Sequence, residues 1–383
     1  MLKQHYDYLI IGAGIAGASL AYRLAAQQAS VLVIEQEKQA GYHSTGRSAA
    51  MFMESYGTPT IQALTRASRA FLESPPHNFC THELIKDRGV LYIAHRGQEA
   101  LLDETLKELR ASGASVKRVS SGHVVAKVPC VKAQDLIGAI EEPDAKDIDV
   151  DALHQGFLKG ARQAGAEILL GTRVTAARRL GQAWNLSLEG HGELSVSSVI
   201  NAAGAWGDTV AALFGAPPVG LQPKRRSAFT FKAEAYPDTE RWPAVVDIDN
   251  SFYFKPDAGQ LLGSPANEDP VEPHDVVPEE LDIAIGIDRI QSATTLEIRR
   301  PSHVWAGLRS FVPDGELVMG WDPEQTGFFW LVAQGGYGIQ TCVAASLLAS
   351  NLVLGQALDP SLTAERICPE IMSPRRFRPV PVV

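Results

Sequence analysis

The chain has 383 residues, of which 45% are hydrophobic and 21% charged, with a formal net charge of -9. That length allows two or three domain-sized units, and the composition is that of a globular protein with ample apolar material for a core. The acidic balance argues against a nucleic-acid partner, which would favour a basic surface, although a few local arginines can still bind an anionic small molecule.

The first predicted elements form a β-α-β unit. Tyr6 to Ile11 reads as a buried strand, Ala16 to Gln27 as an Ala/Leu-rich helix, and Ser30 to Ile34 as a second strand ending at Glu35. Between the first two lies Gly12-Ala13-Gly14-Ile15-Ala16-Gly17. Gly12 lets the strand turn tightly, Gly14 lets a pyrophosphate approach the backbone, and Gly17 lets helix and strand pack closely. The phosphates then meet the free N–H groups of a helix N-terminus. Glu35 is placed to accept hydrogen bonds from a ribose diol. The unit predicts a bound dinucleotide without separating NAD from FAD.

The run Gly41 to Ala50 follows, rich in small residues and hydroxyls. It suits a segment passing under a large planar ring, which a long flavin cofactor requires and an NAD site does not. Helical patterns cover Thr60 to Leu72, Gln98 to Ala111 and Pro278 to Ser292. Strand-like runs cover Gly89 to His95, Arg226 to Lys232, Ser251 to Lys255 and Leu261 to Ser264. Val199 to Trp206 reads as a strand entering a glycine turn, then a helix to about Leu213. Phe328 to Val332 is a strand running into Gly335-Gly336-Tyr337-Gly338-Ile339-Gln340 and a helix to about Leu354. The positive end of that helix could face the flavin edge where negative charge develops on reduction.

Cys80, Cys130, Cys342 and Cys368 form neither a C-x-x-C pair nor a zinc spacing and read as free thiols in a reducing compartment. The early apolar stretch is split by the phosphate-binding glycines, unlike a signal peptide, and no run approaches a membrane span. A cytoplasmic location is expected. The proline-rich, basic stretch from Ser373 reads as a flexible tail, 373–383.

In these stretches the chain resembles the D-amino acid oxidase superfamily of flavoproteins, which includes glycine and sarcosine oxidases. It is most similar there to catabolic D-arginine dehydrogenases. Gly41 to Ala50, Asp151 to Gly156, Gly220 to Phe229, Leu261 to Asn267, Trp305 to Phe311 and Ala333 to Thr341 carry the likeness, which extends over nearly the whole chain. It implies an α/β fold: a discontinuous, Rossmann-like FAD-binding domain (1–58, 145–215 and 305–372) and a substrate domain (59–144 and 216–304) on a mixed, largely antiparallel β-sheet. The implied cofactor is non-covalent FAD, because the stretch Ser310-Phe311-Val312-Pro313-Asp314 lacks the cysteine that links flavin in sarcosine oxidases. Its contacts would fall on Gly12, Gly14, Ile15, Ala16, Gly17, Glu35 and Gln36, then on Ser44, Thr45, Gly46, Arg47, Ser48, Ala49, Ala50 and Met51. Further contacts would come from Val174, Ala203, Gly204, Trp206, Gly307, Arg309, Gly335, Gly336, Tyr337, Gly338 and Ile339.

An amino-acid carboxylate in a dry pocket needs a bidentate cation, and arginine fits that geometry. The resemblance puts Arg309 in this place, points Arg226 into the site, and closes Tyr56 and Tyr253 over the substrate. His43 and His154 read as structural, with Asp149 or Asp151 capping the helix that holds His154. The substrate side chain would meet Met51, Val90, Gly336 and Gln340. In D-arginine dehydrogenases a glutamate meets the substrate guanidinium; ungapped alignment puts that position at Val90, and a histidine of the flavin loop at Met51. The expected substrate is therefore a D-amino acid with an apolar or small neutral side chain, unless Glu54 in the same loop restores the lost charge. The expected reaction is oxidative deamination, with a quinone or other carrier favoured over oxygen as electron acceptor. A 2-hydroxy acid dehydrogenase and a catalytically silent flavin-binding protein are the alternatives.

Overall fold

A computed structural model describes residues 2–378. The nucleotide motif opens an eight-stranded sheet. Its strand β1 (His5–Ile11) leads into helix α1 (Ile15–Ala26) and returns as β2 (Val31–Glu35). β1 pairs in parallel with β2 on one side and with Gly192–Asn201 on the other. Glu167–Leu170 extends the sheet beyond β2, and Phe328–Val332 pairs in parallel with the end of Gly192–Asn201. Such parallel strands are covered on both faces, and Phe328–Val332 is buried at every position.

Two core clusters sandwich this sheet. On one face Ile10, Phe329 and Leu331 pack against Leu20 and Leu24 of α1, Leu348 of Gly338–Leu354, and Ile61 and Leu64 of Pro59–Glu73. On the other, Leu9, Val196, Phe328 and Trp330 meet Trp184, Leu186 and Phe214. Each leucine fully buried here stabilises the fold by about 1.5–3 kcal/mol. Pro59–Glu73 starts with Thr58, whose hydroxyl accepts from Ile61 N at 3.3 Å, and with proline in its first turn.

The second sheet has nine strands in the order Asp269–Pro270, Gln222–Phe231, Gln260–Ser264, Tyr253–Asp257, Ala244–Asp247, Val90–His95, Leu136–Glu142 and Lys117–Val119, with His303–Phe311 pairing along Gln222–Phe231. Only the Ala244–Asp247 and Val90–His95 pair is parallel, so the expected mixed, largely antiparallel sheet is present. A small three-stranded sheet joins Met51–Phe52, Lys146–Ile148 and Ile85–Asp87.

Three segments differ from the expected division. Pro59–Glu73 packs on Gly338–Leu354 in the nucleotide half, because its apolar stripe (Ile61, Leu64) completes that core. His303–Phe311 lies wholly in the second sheet, so a boundary at 305 would cut a continuous strand. The basic segment from Ser373 is held at least to Arg378: Arg376 Nε pairs with Asp314 at 2.6 Å, and Arg378 with the buried Asp322 at 3.0 Å. The rest of the expected tail, 379–383, lies outside the described residues. Among the described residues no helix is long and apolar enough to cross a membrane.

Candidate active site

Two cavities open between the sheets. The smaller, about 550 Å³, runs along the carboxyl ends of β1 and β2 and is lined by Gly12, Gly14, Ile15, Ala16, Glu35, Gln36, Val174, Ala203, Gly204 and Trp206. The larger, about 1000 Å³, lies under the second sheet. Both are bounded by Ile15, Ser44, Thr45, Leu308, Gln334 and Gly335, so together they form one continuous trench.

The smaller cavity fits the diphosphate and nucleoside half of FAD. Gly12 has φ +106, and a Cβ there would overlap Ala202 O. At Gly14 a Cβ would stand 3.2 Å from Thr45 Oγ1 and fill the cradle where phosphate would lie. Gly17 does not face the cavity; its missing side chain leaves room for Gly12 O, which is its expected packing role. Glu35 lines the site while its oxygens accept Ala13 N at 2.8 Å and Glu37 N at 3.0 Å. This holds the carboxylate rigid with lone pairs still open to a ribose. His154 is buried, and Nε2 donates to Ala13 O at 2.8 Å, which fixes its tautomer. Burial lowers its pKa, so it braces the glycine loop as a neutral ring. Asp149 caps its helix through Ala152 N at 2.8 Å.

The run from 44 to 51 divides by role. Ser48, Ala49, Ala50 and Met51 line the larger cavity. Ser44 donates to Leu308 O at 2.6 Å, and Thr45 Oγ1 accepts from Ile15 N at 3.0 Å, so both hydroxyls also tie the loop to its neighbours. Arg47 faces the larger cavity, yet its guanidinium is bound to Val276 O at 2.9 Å, Ala306 O at 3.3 Å and Asp275. These bonds fasten the loop to its neighbours. Gly46 and Gly307 line neither cavity; a Cβ at Gly46 would stand 2.7 Å from Gly41 O, and one at Gly307 3.4 Å from Arg47 Cβ.

The larger cavity gathers the four expected substrate residues. Gln222–Phe231 and His303–Phe311 pair with Lys224 opposite Arg309 and Arg226 opposite Gly307. Side chains alternate along a strand, so Lys224, Arg226 and Arg309 share one face. Arg225 points the other way, into Asp282 at 2.8 Å. Arg309 Nη2 donates to the Tyr56 hydroxyl, and Tyr56 packs edge-on against Tyr337 at 5.1 Å. A Cβ at Gly336 would overlap the Arg309 guanidinium, so only glycine leaves that side chain its place. Burial works against the Arg309 charge, but Tyr56, Glu268, Tyr253 and Tyr337 outweigh it and hold the pKa above its usual value. Burial and the Arg309 charge lower that of Arg226. Tyr253, Tyr337, Gly338 and Ile339 complete this wall, with the N-terminus of Gly338–Leu354 at the cavity.

Three expectations for the side-chain pocket change. Val90 shares a strand face with Tyr92 and lies opposite Ala244, both of which line the larger cavity, but it is itself fully buried among Tyr92, Ile140 and Ala244 and lines neither cavity. Glu54 is bound by Arg69 at 2.9 Å and is likewise outside the cavity lining. Gln340 does line it, but its amide is spent on Thr65 Oγ1 at 2.8 Å and the backbone of Met53. Met51, Met53, Tyr92, Leu109, Val246 and Ile248 give the cavity an apolar stretch of wall, and Glu108, Asp249 and Lys255 also line it.

Sequence reasoning missed several groups. Ser55, Tyr92 and Glu142 form a buried chain: Tyr92 Oη lies 2.6 Å from Ser55 Oγ, which donates to Glu142. Burial raises the Glu142 pKa to about 7 despite hydrogen bonds from Ser55 and Glu54 N. The strand pairing that sets Glu142 opposite Val90 has no sequence signal. Glu268, which binds both Arg226 and Arg309, was missed although it directly follows the recognised stretch ending at Asn267. No cysteine or histidine lines the larger cavity among the described residues.

A family model described as FAD dependent oxidoreductase, DAO, matches residues 7–352. Glycine oxidase of Geobacillus kaustophilus is 26% identical, over 92% of this chain and 94% of its own. Hydrogen cyanide synthase subunit HcnC of Pseudomonas aeruginosa is 23% identical over 93% and 94% of the two chains. The crystal structure of L-proline dehydrogenase from P. horikoshii has the same fold, with a TM-score of 0.81 at 18% identity over 98% of each chain. With a family match over most of its length and a glycine cradle shaped for the dinucleotide, the chain belongs to the DAO family of FAD-dependent oxidoreductases.

Proposed function

We propose that this oxidoreductase removes the Cα hydride of a D-amino acid with an apolar or small neutral side chain. The resulting imino acid is hydrolysed by water to a 2-oxo acid and ammonia. One observation carries the reading: Arg309 and Arg226 stand on one face of adjacent strands, with Tyr56 and Tyr253, in a cavity continuous with the dinucleotide cradle.

When bound, FAD supplies the two-electron acceptor for the hydride. The chain supplies position and field. Arg309 grips the substrate carboxylate, and the charge of Arg226 adds to the pull. Tyr56 orients Arg309 through its hydroxyl and, with Tyr253, covers the substrate with apolar ring surface that excludes water. Holding the carboxylate at one end and an apolar side chain against Met51, Met53, Val246 and Ile248 at the other leaves Cα one orientation. The substrate ammonium must lose a proton before hydride departs. Ser55, Tyr92 and Glu142 offer a path for it away from the cavity wall.

Amino-acid chemistry is supported by the names of similar proteins, glycine oxidase and L-proline dehydrogenase, and the D configuration rests on the resemblance of the sequence to D-arginine dehydrogenases. That last likeness also favours a quinone or other carrier over oxygen as acceptor. The absence of histidine from the larger cavity's described lining counts against a 2-hydroxy acid dehydrogenase, which needs a base at the alcohol. Anaerobic mixing of the FAD-loaded protein with D- and L-amino acids tests the proposal. Bleaching of flavin absorbance with apolar D-amino acids, with ammonia released, is expected; no bleaching with any of them ends it.

A further inference from the structure

The arginine pair already holds a carboxylate, and it belongs to the chain itself. Glu268, between the strands Gln260–Ser264 and Asp269–Pro270, lines the larger cavity. Its Oε1 accepts from Arg226 Nη2 at 2.9 Å and from Arg309 Nη1 at 3.1 Å, and Oε2 accepts from Lys224 Nζ at 3.0 Å. The segment is aimed by its neighbours. Arg226 Nε donates to Asn267 O at 2.8 Å, Ser227 N donates to Asn267 Oδ1 at 2.8 Å, and Ala266 takes φ +52. Burial works against the Glu268 charge, but Lys224, Arg309 and Arg226 outweigh it and hold its pKa below the usual value.

Resting on the reading of Arg309 and Arg226 as the carboxylate clamp, we infer that Glu268 is an internal competitor for that clamp. It bridges the two guanidinium groups until a substrate carboxylate displaces it, and so sets the enzyme's affinity for carboxylate ligands. Two guanidinium groups on adjacent strands repel each other, and a carboxylate between them relieves that repulsion. A single oxygen shared by both arginines is the arrangement an incoming carboxylate would take. The Glu268 side chain is 42% exposed, so it can turn toward water, or stay with Lys224, at little desolvation cost. A tethered group competes at high effective concentration. If it holds the pair for about nine-tenths of the time, it weakens the apparent affinity for an outside carboxylate about tenfold. A residue that merely positioned the arginines would have the opposite effect, since its loss would weaken binding.

The test is titration of FAD-loaded wild type, Glu268→Gln, Glu268→Ala and Arg309→Ala with benzoate, and with uncharged benzamide as control. Binding is read by calorimetry and by the flavin spectrum. Both Glu268 variants are expected to bind benzoate about three- to tenfold more tightly than wild type, with benzamide unchanged. The glutamine variant keeps the side-chain volume should alanine disturb the loop. Benzoate binding that is lost in Arg309→Ala but unchanged or weakened in both Glu268 variants overturns the competitor and leaves the clamp standing. Benzoate binding that survives Arg309→Ala removes the clamp, and the competitor with it.

Discussion

The Arg309 guanidinium lies against Gly336, where a Cβ would overlap it, so the backbone at 336 serves as the floor that sets the arginine's height in the cavity. Gly336→Ala should push Arg309 off its place while leaving the dinucleotide cradle alone. A charge-assisted hydrogen bond is worth about 1.5–3 kcal/mol, so KM for the amino acid should rise roughly ten- to hundredfold. Flavin content should stay that of wild type. Steady-state kinetics beside an absorbance spectrum checks both, and an unchanged KM would contradict the placement.

Gly12 carries the opposite expectation. It combines φ +106 with no room for a Cβ beside Ala202 O. Gly12→Ala must strain or shift the turn that meets the pyrophosphate, and FAD binding should weaken about tenfold or more. The purified variant should be pale, and fluorescence titration with FAD gives the loss. Wild-type affinity would mean the cradle lies elsewhere.

Glu142 makes stability depend on pH. Burial raises its pKa in the folded chain to about 7 from an ordinary 4.5. The folded state therefore binds this proton more tightly than the unfolded chain. Its contribution is complete below about pH 4.5 and is lost as pH rises through 7. The full loss is roughly 3 kcal/mol. Glu142→Gln should flatten this slope: its Tm should exceed that of wild type at pH 8 by more than it does at pH 5. Parallel melting curves from pH 5 to 8.5 decide it.

Val90 tests the source of side-chain selectivity. It is fully buried opposite Glu142 and outside the cavity. Val90→Glu should not create activity on D-arginine. It should instead cost several kcal/mol by burying a second carboxylate beside the first. In the wild type, kcat/KM for D-methionine, D-leucine or D-phenylalanine should exceed that for D-arginine, because Met51, Met53, Val246 and Ile248 present apolar surface against which a guanidinium would lose its water. A stable Val90→Glu variant active on D-arginine would refute the account.

The β-α-β unit was legible because its signals are local. Gly12, Gly14 and Gly17 act through their own backbone, and Glu35 through its place at the end of β2. The helices at 59–73, 99–111 and 280–293 were legible for the same reason, since the apolar period lies within each segment. Residues whose role depends on a partner across the sheet were less visible. Arg47 was expected at the cofactor, but its guanidinium is claimed by Asp275 and by carbonyls more than two hundred positions away. Val90 was expected in the pocket, yet it is fully buried in the layer it shares with Tyr92, Ile140 and Ala244.

The sequence by itself determined that a dinucleotide sits at a glycine-rich helix start, and which arginines and tyrosines were worth finding. It did so because turn geometry and side-chain chemistry are properties of short segments. Tertiary structure alone decided that Lys224, Arg226 and Arg309 share a face, that Glu268 lies between the arginines, and that Glu142 stands behind Ser55 and Tyr92. Those meetings are set by strand register and by loops that cross the cavity, which join residues far apart in the chain and leave no periodic mark on it.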